Sequence, residues 1–137
     1  MPCDPELVAE TRSRFVKAAQ DMGAAAHEFT AEPPFLADIV FHAQQVAEKS
    51  FKGFLTWHST PFRRTHLLEE IGEQCLSVDP GLRPMVERAV PLTKYAWKFR
   101  YPGELDDPSR EEAGAALAVA REVYESILAR LPEEVRP

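Results

Sequence analysis

Apolar residues in this chain return every third and fourth position over long windows, and nowhere do they alternate one in two. Such spacing lines one side of a helix, whereas a half-buried strand needs a period of two. An all-helical fold follows. Asp4 and Pro5 supply an N-cap and a proline at the first helical position, and Leu7, Val8, Phe15, Ala18, Ala19, Met22, Ala26 and Phe29 then trace one face to about residue 28. Pro33 and Pro34 break the chain, because proline cannot donate the helical hydrogen bond and restricts the residue before it. A second helix is expected from about Phe35 to Trp57, with Val40, Ala43, Ala47, Phe51, Phe54 and Leu55 as its buried stripe.

The run Ser59-Thr60-Pro61-Phe62-Arg63-Arg64 reads as a connector, after which Thr65 caps a short helix from His66 to about Leu76. Asp79-Pro80 opens a fourth helix over about 80–100, which Pro91 must kink or divide and which Tyr101-Pro102-Gly103 ends. Ser109 and Glu112 form a capping box for the last helix, whose apolar positions from Ala113 to Leu131 hold the period to Pro132. The expected architecture is an up-and-down bundle of four long helices plus one short helix. One domain over residues 1–137, with its core in about 5–131, suits a chain of this length.

Composition narrows the function classes. No apolar run approaches the roughly 20 residues of a membrane span, and the first residues lack a basic-then-apolar signal, so a soluble, cytosolic protein without a membrane role is expected. Cys3 and Cys75 give neither a disulfide framework nor metal spacing, and reduced thiols are expected. The net charge is -6, which argues against a generic nucleic-acid coating protein and against a DNA partner. The charge is unevenly spread. Residues 1–41 hold seven acids and three bases, and residues 102–137 hold nine and four. Residues 42–66 hold only Glu48 against Lys49, Lys52, Arg63 and Arg64, together with His42, His58 and His66.

On a helical wheel His42, Gln45, Lys49 and Lys52 share one stripe of the second helix, nearly opposite Val40, Ala47, Phe51 and Leu55. Solvation accounts for such a stripe; so does an anion or a partner helix, since a wet face ordinarily mixes Glu with Lys. Arg63, Arg64 and His66 follow that helix, and Arg100 ends the fourth beside Tyr101. Arginines at helix ends serve either as forked phosphate donors or as partners of the helix dipole. The four histidines form no HExxH and no pair four apart, so no metal site and no cofactor are expected. The glycines are scattered singly, which leaves no phosphate loop. The aromatic set Phe41, Phe51, Phe54, Trp57, Tyr95, Trp97 and Phe99 falls at helical spacing and is expected to be mostly core.

Three stretches resemble the HEPN domain family over about residues 5–131. They are Phe41-His42-Ala43-Gln44-Gln45-Val46-Ala47-Glu48-Lys49-Ser50-Phe51-Lys52, Pro61-Phe62-Arg63-Arg64-Thr65-His66-Leu67-Leu68, and Leu92-Thr93-Lys94-Tyr95-Ala96 followed by Arg100-Tyr101-Pro102-Gly103. The resemblance implies a helical bundle that dimerises and is often encoded beside a small nucleotidyltransferase in toxin and antitoxin pairs. Many such proteins are RNases that use an Arg and a following His at the end of the fourth helix. Arg100 occupies the arginine position, but no histidine occurs from Tyr101 to Pro137. Relatives also often have T-H-D-L where this chain has Thr65-His66-Leu67-Leu68, and Pro91 falls in a helix usually written without proline.

The expected function is therefore nucleotide or RNA binding by a homodimer, within a two-protein system that has a nucleotidyltransferase partner, and without the usual RNase centre. The candidate ligand-facing residues are Arg100, Tyr101, Arg64, His66, Lys49, Lys52 and His42. Two alternatives stand beside it. One is a metal-independent RNase toxin whose rearranged pair is Arg100 and His66; the other is a pure protein–protein interaction module.

Overall fold

A computed structural model describes residues 4–103 and 106–137. Five α-helices make up the fold among these residues: α1 (Pro5–Phe29), α2 (Leu36–Trp57), α3 (Leu68–Val78), α4 (Arg83–Ala89) and α5 (Arg110–Leu128). Cys3, expected as a reduced thiol, lies outside the described residues. The caps read from the sequence are formed. Asp4 accepts a hydrogen bond from the Glu6 amide at 2.9 Å, and Ser109 accepts one from the Glu112 amide at 3.0 Å.

The long α2 is the axis of the bundle, covered by α1, α5, α3 and the stretch after α4. Burial reaches most of its circumference: Ile39, Val40, Ala43, Val46, Ala47, Phe51 and Leu55 are fully buried. Small residues set the spacing of its neighbours. A side chain at Gly53 would put its Cβ 2.6 Å from the Phe15 ring, so α1 approaches α2 only because that position is glycine. On the other side, α5 presents Ala113, Ala116 and Ala120, all buried.

Two elements differ from the sequence expectation. The fourth helix is not one long rod: a 3-10 turn (Pro80–Leu82) leads into α4, and a second 3-10 stretch (Val90–Ala96) follows it. The expected four long helices and one short one are thus three long and two short. Pro91 is the physical reason, since it has no N–H to return to the Glu87 carbonyl and the chain tightens to bonds three residues apart. Helix three begins at Leu68 rather than His66. Thr65 does turn the chain, its hydroxyl accepting from the Leu67 amide at 3.1 Å, but the His66 carbonyl is taken by the Gln44 side chain at 3.3 Å. A tertiary partner therefore holds His66 out of the helix. Among the aromatics Phe51, Phe54 and Tyr95 are core, whereas Trp97 is 47% exposed.

Candidate functional site

The polar residues of α2 form two rows. His42 and Lys49 face α1, where Asp21 meets both: its carboxylate lies 2.9 Å from His42 Nδ1 and 2.5 Å from Lys49 Nζ. The other ring nitrogen of His42 lies 3.1 Å from Glu28. Burial and the nearby Asp38 carboxylate push the Glu28 carboxyl up from its ordinary value. Both side chains are thus partnered by carboxylates of α1. The stripe that looks acid-free on one helix acquires its acids from the helix packed on it.

The second row runs along α2 through Phe41, Gln44, Gln45, Glu48 and Lys52, one helical turn apart. Glu48 is its centre and is only 5% exposed. It accepts from Gln44 Nε2 at 3.0 Å and from Lys52 Nζ at 3.0 Å, and His66 Nδ1 stands 2.7 Å from its Oε1. Gln45 completes the row by donating to the Gln44 oxygen at 2.6 Å. Burial pushes the Glu48 carboxyl up, but the bonds from Gln44, His66 and Lys52 outweigh it and hold the carboxyl below its ordinary range. A buried carboxylate therefore faces Nδ1 of an imidazole whose side chain is 63% exposed. When His66 is neutral, this contact selects the tautomer with the proton on Nδ1 and leaves Nε2 as an outward acceptor; when protonated, Nε2 is an outward donor.

Arg100 joins the same row from the other end. Its guanidinium sits 3.7 Å from the centroid of the Phe41 ring. Phe41 and Glu48 are two turns apart, about 10 Å along the helix axis. The start of α3 and the stretch after α4 are tied to each other, Thr93 Oγ1 accepting from the Leu68 amide at 3.2 Å. Arg64 is exposed, and Tyr101 is 64% exposed. Neither has a side-chain hydrogen bond or ion pair among the described residues.

The seven candidates thus divide. Lys52 and His66 meet at Glu48, and Arg100 reaches the same row through Phe41; Arg64 and Tyr101 are exposed neighbours in sequence of these groups, and His42 and Lys49 lie around the helix against α1. Sequence reasoning gave no role to Glu48 or Gln44 and expected Phe41 only as part of the mostly core aromatic set, although a signal was present for the first two. Gln44 and Glu48, four residues apart among Ala43, Val46 and Ala47, are polar groups on a core helix that require partners.

Other chemistry is sparse here. Cys75 is buried against the Phe51 carbonyl, and burial pushes its thiol up to about 12. No group of three or more His, Cys, Asp or Glu side chains is arranged to hold a metal among the described residues, and no helix is long and apolar enough to cross a membrane. A groove of about 520 Å³ opens between α3 and the stretch after α4, lined by Leu67, Val90, Thr93, Glu69, Glu70 and Glu73. Glu70 there is paired with Arg63 at 2.7 Å, and the carboxylates of Glu69 and Glu73 would repel an anion, which sets the groove apart from the row around His66.

The family model described as HEPN domain matches residues 11–131, most of the chain. No curated protein and no solved structure matches it.

Proposed function

The chain belongs to the HEPN domain family, and on that premise we propose that it is the nucleotide- or RNA-binding component of a two-protein system. The family ties it to nucleotide- or RNA-related chemistry in general. Our reading adds that it acts as a homodimer beside a nucleotidyltransferase partner, as in toxin and antitoxin pairs, and that it lacks the family's usual Arg–His RNase pair. The observation that supports this is that Arg100 and His66 each contact the same row of α2, at Phe41 and at Glu48, while their sequence neighbours Tyr101 and Arg64 are exposed. Lys49 and Lys52 of α2 are paired with Asp21 and Glu48, whereas Arg64 and Arg100 have no carboxylate partner among the described residues. Guanidinium groups without a carboxylate partner are suited to phosphate, and Tyr101 can stack on a base.

The test is a titration with nucleoside triphosphates and short RNA. Saturable binding that falls about tenfold or more in Arg100→Ala supports the assignment, because a charge-assisted hydrogen bond contributes about 1.5–3 kcal/mol. No binding to the wild type, and no change on Arg100→Ala, removes it.

A second reading is supported by one specific contact, the Glu48–His66 pair. A carboxylate that orients an imidazole with its far nitrogen exposed is the arrangement of a general base. In an RNase of this kind, His66 Nε2 would take the proton of a ribose 2′-hydroxyl and that oxygen would attack phosphorus. The P–O5′ bond would break, leaving a 2′,3′-cyclic phosphate and a 5′-hydroxyl protonated by the imidazolium. Arg100 and Arg64 would neutralise the phosphorane. Incubation with total RNA separates the two: cleavage lost in both Arg100→Ala and His66→Ala establishes the enzyme, and intact RNA leaves the binding role.

A further inference from the structure

The segment Lys94–Tyr101 carries four aromatic rings at alternate positions, and the backbone sorts them into two pairs. Tyr95 is buried and stacks on Phe99 with ring centroids 6.3 Å apart. Trp97 and Tyr101 are 47% and 64% exposed, two of the five large apolar side chains that stand out among the described residues. The sorting has a local cause. The Trp97 and Lys98 amides both return to the Lys94 carbonyl, at 3.3 and 2.9 Å, and the Arg100 amide returns to that of Trp97 at 3.3 Å. Phe99 then takes a left-handed backbone conformation, φ 71°, which is costly for a residue with a bulky side chain. That turn keeps the Phe99 ring against the core and sends Arg100 back onto Phe41.

Charge distinguishes this segment from an ordinary exposed tryptophan. Lys94, Lys98 and Arg100 lie within it, and it contains no acid in a chain of net charge -6. Exposed aromatic faces interleaved with cations suit a strand whose bases stack while its phosphates are neutralised. A duplex offers no such faces, because its bases are already stacked on each other.

We propose that Trp97 and Tyr101 form a stacking platform for unpaired bases of RNA, with Lys98 and Arg100 on its phosphates, so that the site selects single-stranded over paired RNA. This rests on the RNA-binding role proposed above. Selection by stacking tolerates sequence, since every base has a π face, and discriminates by pairing instead.

The experiment is fluorescence anisotropy of a labelled twelve-nucleotide RNA, single-stranded or annealed to its complement, with the full chain and with Trp97→Ala, Tyr101→Ala and Trp97→Phe. The single strand is expected to bind at least about tenfold more tightly than the duplex, as faces buried in the duplex are lost to stacking. Trp97→Ala and Tyr101→Ala should each weaken it about tenfold, and Trp97→Phe should restore most of the loss by keeping a ring face. Equal affinity for both forms, or single-strand affinity untouched by both alanine variants, overturns the platform. A change of oligomeric state in Trp97→Ala without loss of RNA affinity overturns it too, and identifies a protein contact. If a nucleoside triphosphate binds through Arg100 while the single strand does not, the platform falls and nucleotide binding stands; if neither binds, the parent reading falls with it.

Discussion

Two polar regions flank the same helix and behave oppositely. Around Glu48 the polar atoms are buried and satisfied: Gln44, Lys52 and His66 converge on one carboxylate, and Gln45 braces Gln44. Along Lys94–Tyr101 the rings of Trp97 and Tyr101 are exposed, and Arg100 touches the body of the protein through a ring face rather than a carboxylate. The first arrangement fixes a connector and presents a single imidazole; the second leaves unpaired donors on the surface. Similar residue types thus hold the fold in one place and remain available to a ligand in the other, and burial of the counter-charge makes the difference.

The comparison breaks most visibly at Glu48. Glu48→Ala removes the shared acceptor and leaves Gln44 and Lys52 without it, so unfolding in urea should show a loss of about 3–5 kcal/mol, as for one partner deleted from a buried pair. A loss below about 1 kcal/mol would mean that water satisfies the site and that the two regions are alike. Arg100→Ala should do the reverse. Its stability cost stays under about 1 kcal/mol, the scale of an exposed cation–π contact, while affinity for a nucleoside triphosphate drops by about 1.5–3 kcal/mol in calorimetry.

A smaller effect sharpens the buried side. Gln44→Leu keeps the volume roughly constant but removes the donor shared by Glu48 and the His66 carbonyl, so a cost of about 1–3 kcal/mol is expected from groups left unsatisfied. The subtlest effect is in acid. The folded Glu48 carboxyl lies below its ordinary value, so the unfolded chain takes up that proton first as pH falls. The stability it contributes is complete above the ordinary glutamate range and is lost as pH drops through the lower folded value. Urea midpoints measured from pH 7 to pH 3 should therefore fall less steeply in Glu48→Gln than in the wild type.

Much of the fold is readable from local signals, because caps and breakers act over a few residues. Asp4-Pro5, Pro33-Pro34 and Ser109 with Glu112 delimit α1, α2 and α5 without reference to anything distant. Failures occur where a remote partner decides. His66 stays outside α3 because Gln44, on another helix, holds its carbonyl. The basic stripe of α2 looks unopposed until Asp21 and Glu28 of α1 are packed against it, and no single-helix wheel contains them. Pro91 announces a break, but the 3-10 path beyond it and the left-handed Phe99 depend on where Tyr95 and Phe99 find the core. The site is legible to the same extent: Arg100, His66, Arg64 and Tyr101 stand out as residue types, whereas the row of α2 that joins Arg100 to His66 exists only once the connector and the stretch after α4 fold onto it.

The most direct measurement is a histidine-selective ¹H–¹⁵N spectrum of the full chain during titration with a nucleoside triphosphate. A nucleotide whose phosphates lie along the row from Arg100 to His66 predicts a saturable shift at His66 Nε2, with Nδ1 held by Glu48 and with His27 and His58 unmoved. A silent His66, or an equal drift of all four imidazoles, would contradict an anion site on this face.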